Sequence, residues 1–169
     1  MRLRVNQEPD RPIDTAAPPQ PGSRERPGSA GDTPRRIFIL EDHALMREVI
    51  RDYLENVPGF LVCGEAGCAE EALERIEDAA PHLILVDTAL PTTSGIDVVA
   101  SVRERWGDLP CLMLSGHAQF TYVERALAAG ARGYVLKGEP AELPRAIRRV
   151  LEGGEYLSRS LRALRDGGE

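Results

Sequence analysis

Four short apolar runs each deliver a reactive side chain at their carboxyl end. RRIFILE (35–41) ends in Glu41, with Asp42 next; HLILVD (82–87) ends in Asp87; LPCLMLS (109–115) ends in Ser115, followed by Gly116; RGYVLK (132–137) ends in Lys137. Gathered in one place, three carboxylates raise one another's pKa. A hard divalent cation removes that conflict. Mg2+ suits one or two carboxylates together with water and phosphate oxygens, and Mn2+ takes the same donors. Asp87 can then act as a nucleophile, since carboxylates form aspartyl-phosphate intermediates. The charge that arrives with a phosphoryl group must be met, and the cation, the Lys137 ammonium and the Ser115 hydroxyl are suited to meet it, with Gly116 leaving room beside it. Lys137 is the only lysine in a chain otherwise supplied with arginine. A compact ammonium on a flexible stem fits a single phosphate or carboxylate oxygen better than a planar guanidinium does. Taken singly, these residues have plainer roles. Asp42 after a strand can cap the helix that follows, and Asp87 can cap a turn. The functional reading rests on their coming together.

What must bring them together is an alternation of strands and helices. Arg35–Glu41, 60–66, 82–87, 109–115 and 132–137 are apolar enough for buried strands. Between them, 43–57, 69–79, 95–106, 119–129 and 140–152 repeat apolar residues at three and four, the period of a helix. In the first helix these are Leu45, Val49, Ile50, Tyr53 and Leu54, and Pro58-Gly59 ends it. Gly130 is placed to cap the fourth helix, and Pro144 should kink the fifth or delay its start. Five βα repeats predict an α/β fold in which one parallel sheet carries helices on both faces. In such a sheet every strand's carboxyl end lies on one edge, where ligands bind.

Composition narrows the function classes. The 169 residues suit one domain with tails, the formal net charge of -6 argues against a broad nucleic-acid surface, and no apolar run is long enough to span a bilayer. No secretory h-region opens the chain, so a cytoplasmic protein is expected. Cys63, Cys68 and Cys111 match no zinc spacing and read as free thiols. Residues 1–34 are rich in Pro and Arg and poor in apolar residues, which predicts a disordered N-terminal tail. Residues 154–169 are expected to be a tail or a short basic helix, with Leu157, Leu161 and Leu164 on one side.

With Glu41-Asp42, Asp87-Thr-Ala-Leu-Pro91 and Gly95, Ser115-Gly116 and Lys137 at these positions, the chain from about Arg35 to Leu151 resembles the response-regulator receiver family of two-component signalling. The resemblance implies a flavodoxin-like (βα)5 three-layer sandwich with sheet order 2-1-3-4-5, here over residues 35–153. It makes Asp87 the phosphoacceptor. It assigns Mg2+ to Glu41, Asp42, Asp87 and the backbone carbonyl of Ala89, and the phosphoryl oxygens to Ser115, Gly116 and Lys137. Ser115 and Tyr134 would be the switch pair, Tyr134 turning inward as Ser115 moves to the phosphate, and His117 stands where relatives tune dephosphorylation. Two features depart from the pattern. Many relatives carry proline after the lysine, whereas this chain has Gly138. The segments LKGEPAEL and LEGGEYLSRSL also resemble receivers that carry a helix-turn-helix output, yet only about 16 residues follow Gly153. A stand-alone receiver without direct DNA binding is therefore expected.

The expected partners are a histidine kinase or histidine phosphotransfer protein and an unidentified output protein. Phe120, Tyr122, Val123 and Tyr134 would form the contact face, and a homodimer is left open. Such a chain is not a classical enzyme; it catalyses its own phosphorylation from phosphohistidine and slow autodephosphorylation. The alternative is a receiver-fold scaffold or dimerisation module that is never phosphorylated. A dehalogenase-type phosphatase is disfavoured because its second aspartate position is Ala89, and a flavin carrier because acids follow the first strand.

Overall fold

The computed structural model describes residues 33–167. The expected tail, residues 1–34, lies outside them save for Thr33 and Pro34. Elements alternate as β1 (Arg35–Leu40), α1 (Ala44–Glu55), β2 (Phe60–Ala66), α2 (Ala69–Ala79), β3 (Leu83–Asp87), α3 (Gly95–Trp106), β4 (Cys111–Ser115), α4 (Phe120–Ala129), β5 (Gly133–Leu136), α5 (Leu143–Leu151), β6 (Tyr156–Leu157) and α6 (Arg159–Asp166). All neighbouring strands are parallel, in the order β2-β1-β3-β4-β5-β6. This is the flavodoxin-like receiver fold with one strand more than the five expected.

The two-residue period of a strand sends alternate side chains to opposite faces. Phe38, Leu40, Ile84, Val86, Met113 and Tyr134 pack under α2, α3 and α4. Ile37, Ile39, Leu83, Leu85, Leu112, Leu114 and Val135 pack under α1 and α5. Because both faces are covered, β3 and β4 are buried at every residue, which explains their near-continuous apolar sequence. Pro144 lies in the first turn of α5, behind a short 3-10 turn at Pro140–Glu142. The helix start is delayed, since a first-turn proline gives up an N–H that has no helical partner. Gly130 closes α4 in the left-handed conformation, φ 115°.

Two expectations need correction. Of the α1 apolar residues only Ile50 and Leu54 are buried; Leu45, Val49 and Tyr53 are exposed. The apolar arc of α1 is wider than the strip the sheet covers. The short basic helix expected after residue 153 is present as α6, but it starts only at Arg159, and Tyr156 and Leu157 before it form a strand. Gly153, at φ 84°, turns the chain back, and β6 pairs with β5 through Gly133↔Tyr156 and Tyr134↔Leu157. The first half of the β5 edge is thereby paired. Glu142 then fastens the segment, accepting the Tyr156 hydroxyl at 2.7 Å and the Arg159 N–H at 3.0 Å. Leu161 of α6 is wholly buried beside α4, while Leu164 points to solvent.

Candidate functional site

Parallel strands in register carry the reactive residues to one edge. Asp87 stands beside Leu114, and Ser115 beside Leu136. Glu41, Asp42 and Lys137 follow directly on their strands. Lys137 reaches between two acids, its Nζ lying 2.8 Å from Glu41 Oε2 and 3.0 Å from Asp87 Oδ2. Asp87 Oδ1 accepts the Ala89 N–H at 3.2 Å. Glu41 and Asp87 are buried, whereas Asp42 is open to water. Asp42 does not cap α1; the His43 ring does, accepting from Met46 N–H at 3.3 Å.

The electrostatics of this cluster are unbalanced. Glu41 Oε2 is buried and meets the ammonium at contact distance without a well-aligned hydrogen bond. At an effective dielectric of about 20, that ammonium attracts Glu41 by about 6 kcal/mol and the Asp87 carboxylate repels it by at least about 3.5 kcal/mol. The surplus does not cover the several kcal/mol of taking a carboxylate out of water. Burial, seconded by the Asp87 charge, accordingly pushes the Glu41 carboxyl above its ordinary range despite Lys137. Burial pulls the Lys137 ammonium the other way, but Glu41 and Asp87 together outweigh it and hold its pKa above the usual lysine value.

Glu41, Asp42 and Asp87 each offer an oxygen within 4.8 Å of the others. An all-oxygen set with net negative charge and a poorly satisfied buried oxygen fits a hard cation such as Mg2+. Gly95 stands at the back of this site. Its N–H donates to the Thr88 carbonyl at 3.0 Å, and a side chain there would fall on the Asp87 carbonyl oxygen. Gly116 has no such constraint, because a Cβ at that position meets nothing.

Beside the acids lies a second network. Ser115 Oγ accepts the His117 N–H at 3.0 Å and lies 2.8 Å from Thr88 Oγ1. The Tyr134 hydroxyl donates to the His117 carbonyl at 3.1 Å. Tyr134 is wholly buried, and burial pushes its phenol up. The His117 ring is exposed and stacks on Tyr122, with ring centres 5.1 Å apart. Val123 is also wholly buried, so of the four expected contact residues only Phe120 and Tyr122 reach the surface. Thr88 was absent from the sequence-derived set. Its one signal was its place directly after Asp87, which does not name Ser115 as its partner. All peptides among the described residues are trans, the Lys137–Gly138 bond included.

This fold with an acid pair, a strand-end aspartate and a lysine reaching both defines a class, and sequence comparison agrees with it. The response regulator receiver domain model matches residues 37–148, and the chain belongs to that family. Response regulator UvrY of Escherichia coli (strain K12) is 32% identical over 123 residues, covering 72% of this chain and 56% of that protein. The DNA-binding transcriptional activator DevR/DosR of Mycobacterium tuberculosis is 35% identical over 123 residues, covering 72% of this chain and 57% of that one. The chain thus spans about half the length of the curated relatives it matches. Among solved structures, a LuxR-family two-component response regulator from Aurantimonas sp. SI85-9A1 is 32% identical with a TM-score of 0.76, covering 80% of this chain and 99% of that one. The isolated receiver domain of RcsB from Salmonella enterica, solved with a beryllofluoride phosphomimetic, shares the fold at 21% identity and a TM-score of 0.72.

Proposed function

We propose that the chain is a phosphorylation-dependent switch in which Asp87 takes a phosphoryl group from the phosphohistidine of a histidine kinase or phosphotransfer protein. The observation that carries this reading is Lys137 Nζ within 3.0 Å of both Asp87 and Glu41. In-line attack by an Asp87 oxygen forms the O–P bond as the N–P bond of phosphohistidine breaks. The departing imidazole keeps the electron pair and takes its proton from water. A divalent cation held by Glu41, Asp42, Asp87 and the Ala89 carbonyl would neutralise charge on the phosphoryl oxygens. Lys137 gives the incoming group a fixed positive charge, and Ser115 offers a hydroxyl proton. Hydrolysis of the acyl phosphate resets the switch, and His117, two residues after Ser115, is the residue placed to tune its rate.

The donor's docking surface is assigned to the exposed residues Leu45, Val49 and Tyr53, one stripe at four-residue spacing on the helix that begins two residues after Asp42. Output passes through protein–protein contacts that include Phe120 and Tyr122, in the cytoplasm, where such donors act. Among the described residues no helix is long and apolar enough to cross a membrane. Incubation with Mg2+ and acetyl phosphate tests the reading. One phosphoryl group should add to the wild-type mass, and none to Asp87→Asn. No gain, or a gain that survives the substitution, would leave the scaffold alternative standing.

A further inference from the structure

Ser115 is fully buried, so its hydroxyl proton cannot reach water and needs an acceptor within the protein. One Ser115 lone pair is taken by the His117 N–H. Thr88 Oγ1, at 2.8 Å, is the one side chain among the described residues aligned for a hydrogen bond with Ser115; the neighbouring Tyr134 hydroxyl, close enough to Ser115 to be held down by it against the lift of burial, spends its proton on the His117 carbonyl, and no hydrogen bond joins Ser115 to Asp87. Of the two hydroxyl residues Ser115 is the more deeply buried, with no exposure against 8% for Thr88. Either hydroxyl can donate across this contact, and Ser115 is taken as the donor because its proton has no other aligned acceptor. Thr88 is also held at both ends of its backbone, its N–H donating to the Leu114 carbonyl at 3.3 Å and its carbonyl accepting from Gly95. It cannot follow Ser115 elsewhere.

We propose that Thr88 is a positioning residue that holds the resting state of the switch: its hydroxyl accepts the Ser115 proton that a phosphoryl oxygen on Asp87 would claim. This rests on the phosphoacceptor reading and adds to it the group that opposes activation. A charged phosphoryl oxygen is the stronger acceptor and wins the proton, but it must first break the Thr88 bond. The same rupture loosens the loop whose His117 N–H and carbonyl serve Ser115 and Tyr134.

Thr88→Val keeps the shape and removes the acceptor, while Thr88→Ser keeps the hydroxyl. Affinity for beryllofluoride in Mg2+, read by fluorine NMR, should tighten about fivefold in Thr88→Val, as losing one competing hydrogen bond implies. Thr88→Ser should bind as wild type, and Thr88→Val should change nothing in a Ser115→Ala background, where there is no proton to contest. Without Mg2+ or beryllofluoride, Thr88→Val should melt lower than Thr88→Ser, because its resting Ser115 proton is orphaned. If wild type binds beryllofluoride while Thr88→Val binds it equally or more weakly, the Thr88 role is overturned and the phosphoacceptor reading stands. If wild type binds none, both fall. An equal tightening in the Ser115→Ala background would also overturn the proposal, since the effect would not run through Ser115.

Discussion

Leu161→Ala asks whether the segment after Gly153 is part of the folded unit. Leu161 is the only fully buried residue of α6, and its side chain joins the core shared by α4 and β5. Truncating a buried leucine costs roughly 2–5 kcal/mol, the upper end where the surroundings cannot close over the gap. Here they can, since Phe120, Leu127 and Leu157, which pack against the same core, are only partly buried. A short helix with a single anchor has a further escape, because it can leave the domain, and its docking energy then caps the loss. The expected destabilisation is about 2 kcal/mol, a fall in Tm of roughly 6–10 °C for a domain of this size. Thermal melts measure the loss, and trypsin distinguishes its route. Arg159, Arg162 and Arg165 all lie on α6, so undocking should expose them to cleavage well below the melting transition. A variant that melts within about 1 °C of wild type and is cut no faster at these arginines would refute the docking of α6.

Three more outcomes are expected. Burial raises the Glu41 carboxyl, so its contribution to stability is full below the ordinary carboxylate range and is lost as pH rises through the raised folded value. In EDTA, the stability of wild type relative to Glu41→Gln should fall as pH rises above the ordinary carboxylate range, and saturating Mg2+ should reverse the trend; a difference that rises with pH in EDTA would contradict the electrostatics. Gly95→Ala would drive its methyl into the Asp87 carbonyl oxygen, so it should cost about 1–3 kcal/mol in denaturant melts and slow phosphoryl uptake from acetyl phosphate, whereas Gly116→Ala should leave stability within about 0.5 kcal/mol. Burial pushes the Cys111 thiol up to about 12, so at about pH 8 it should resist alkylation, read by peptide mapping, until urea unfolds the chain.

The strands and most helices were legible from local pattern because the central strands are buried on both faces and the helices bury one stripe. Phe60–Ala66, Ala69–Ala79 and Gly95–Trp106 occur with the bounds the periodicity implies. The acidic cluster was legible for a related reason. A parallel sheet puts every strand's carboxyl end on one edge, so residues that end strands must meet, and Lys137 does reach Glu41 and Asp87. Its position in the chain told almost as much as its chemistry.

What periodicity could not tell is which part of an apolar arc finds a neighbour. Leu45, Val49 and Tyr53 read like Ile50 and Leu54, yet only the latter two face the sheet. Tyr156 and Leu157 read as the start of a helix, but the open edge of β5, together with Glu142, draws them into a strand. That extra strand and helix help to bury Tyr134. Thr88 and Ser115 are 27 residues apart, and only the pairing of β3 with β4 makes their hydroxyls partners. Composition and spacing determined which groups could react and the edge on which they gather, because those follow from strand direction. Contacts between distant segments decided what is covered, what is held and what is free to move, because burial and hydrogen bonding depend on the neighbour as well as the residue.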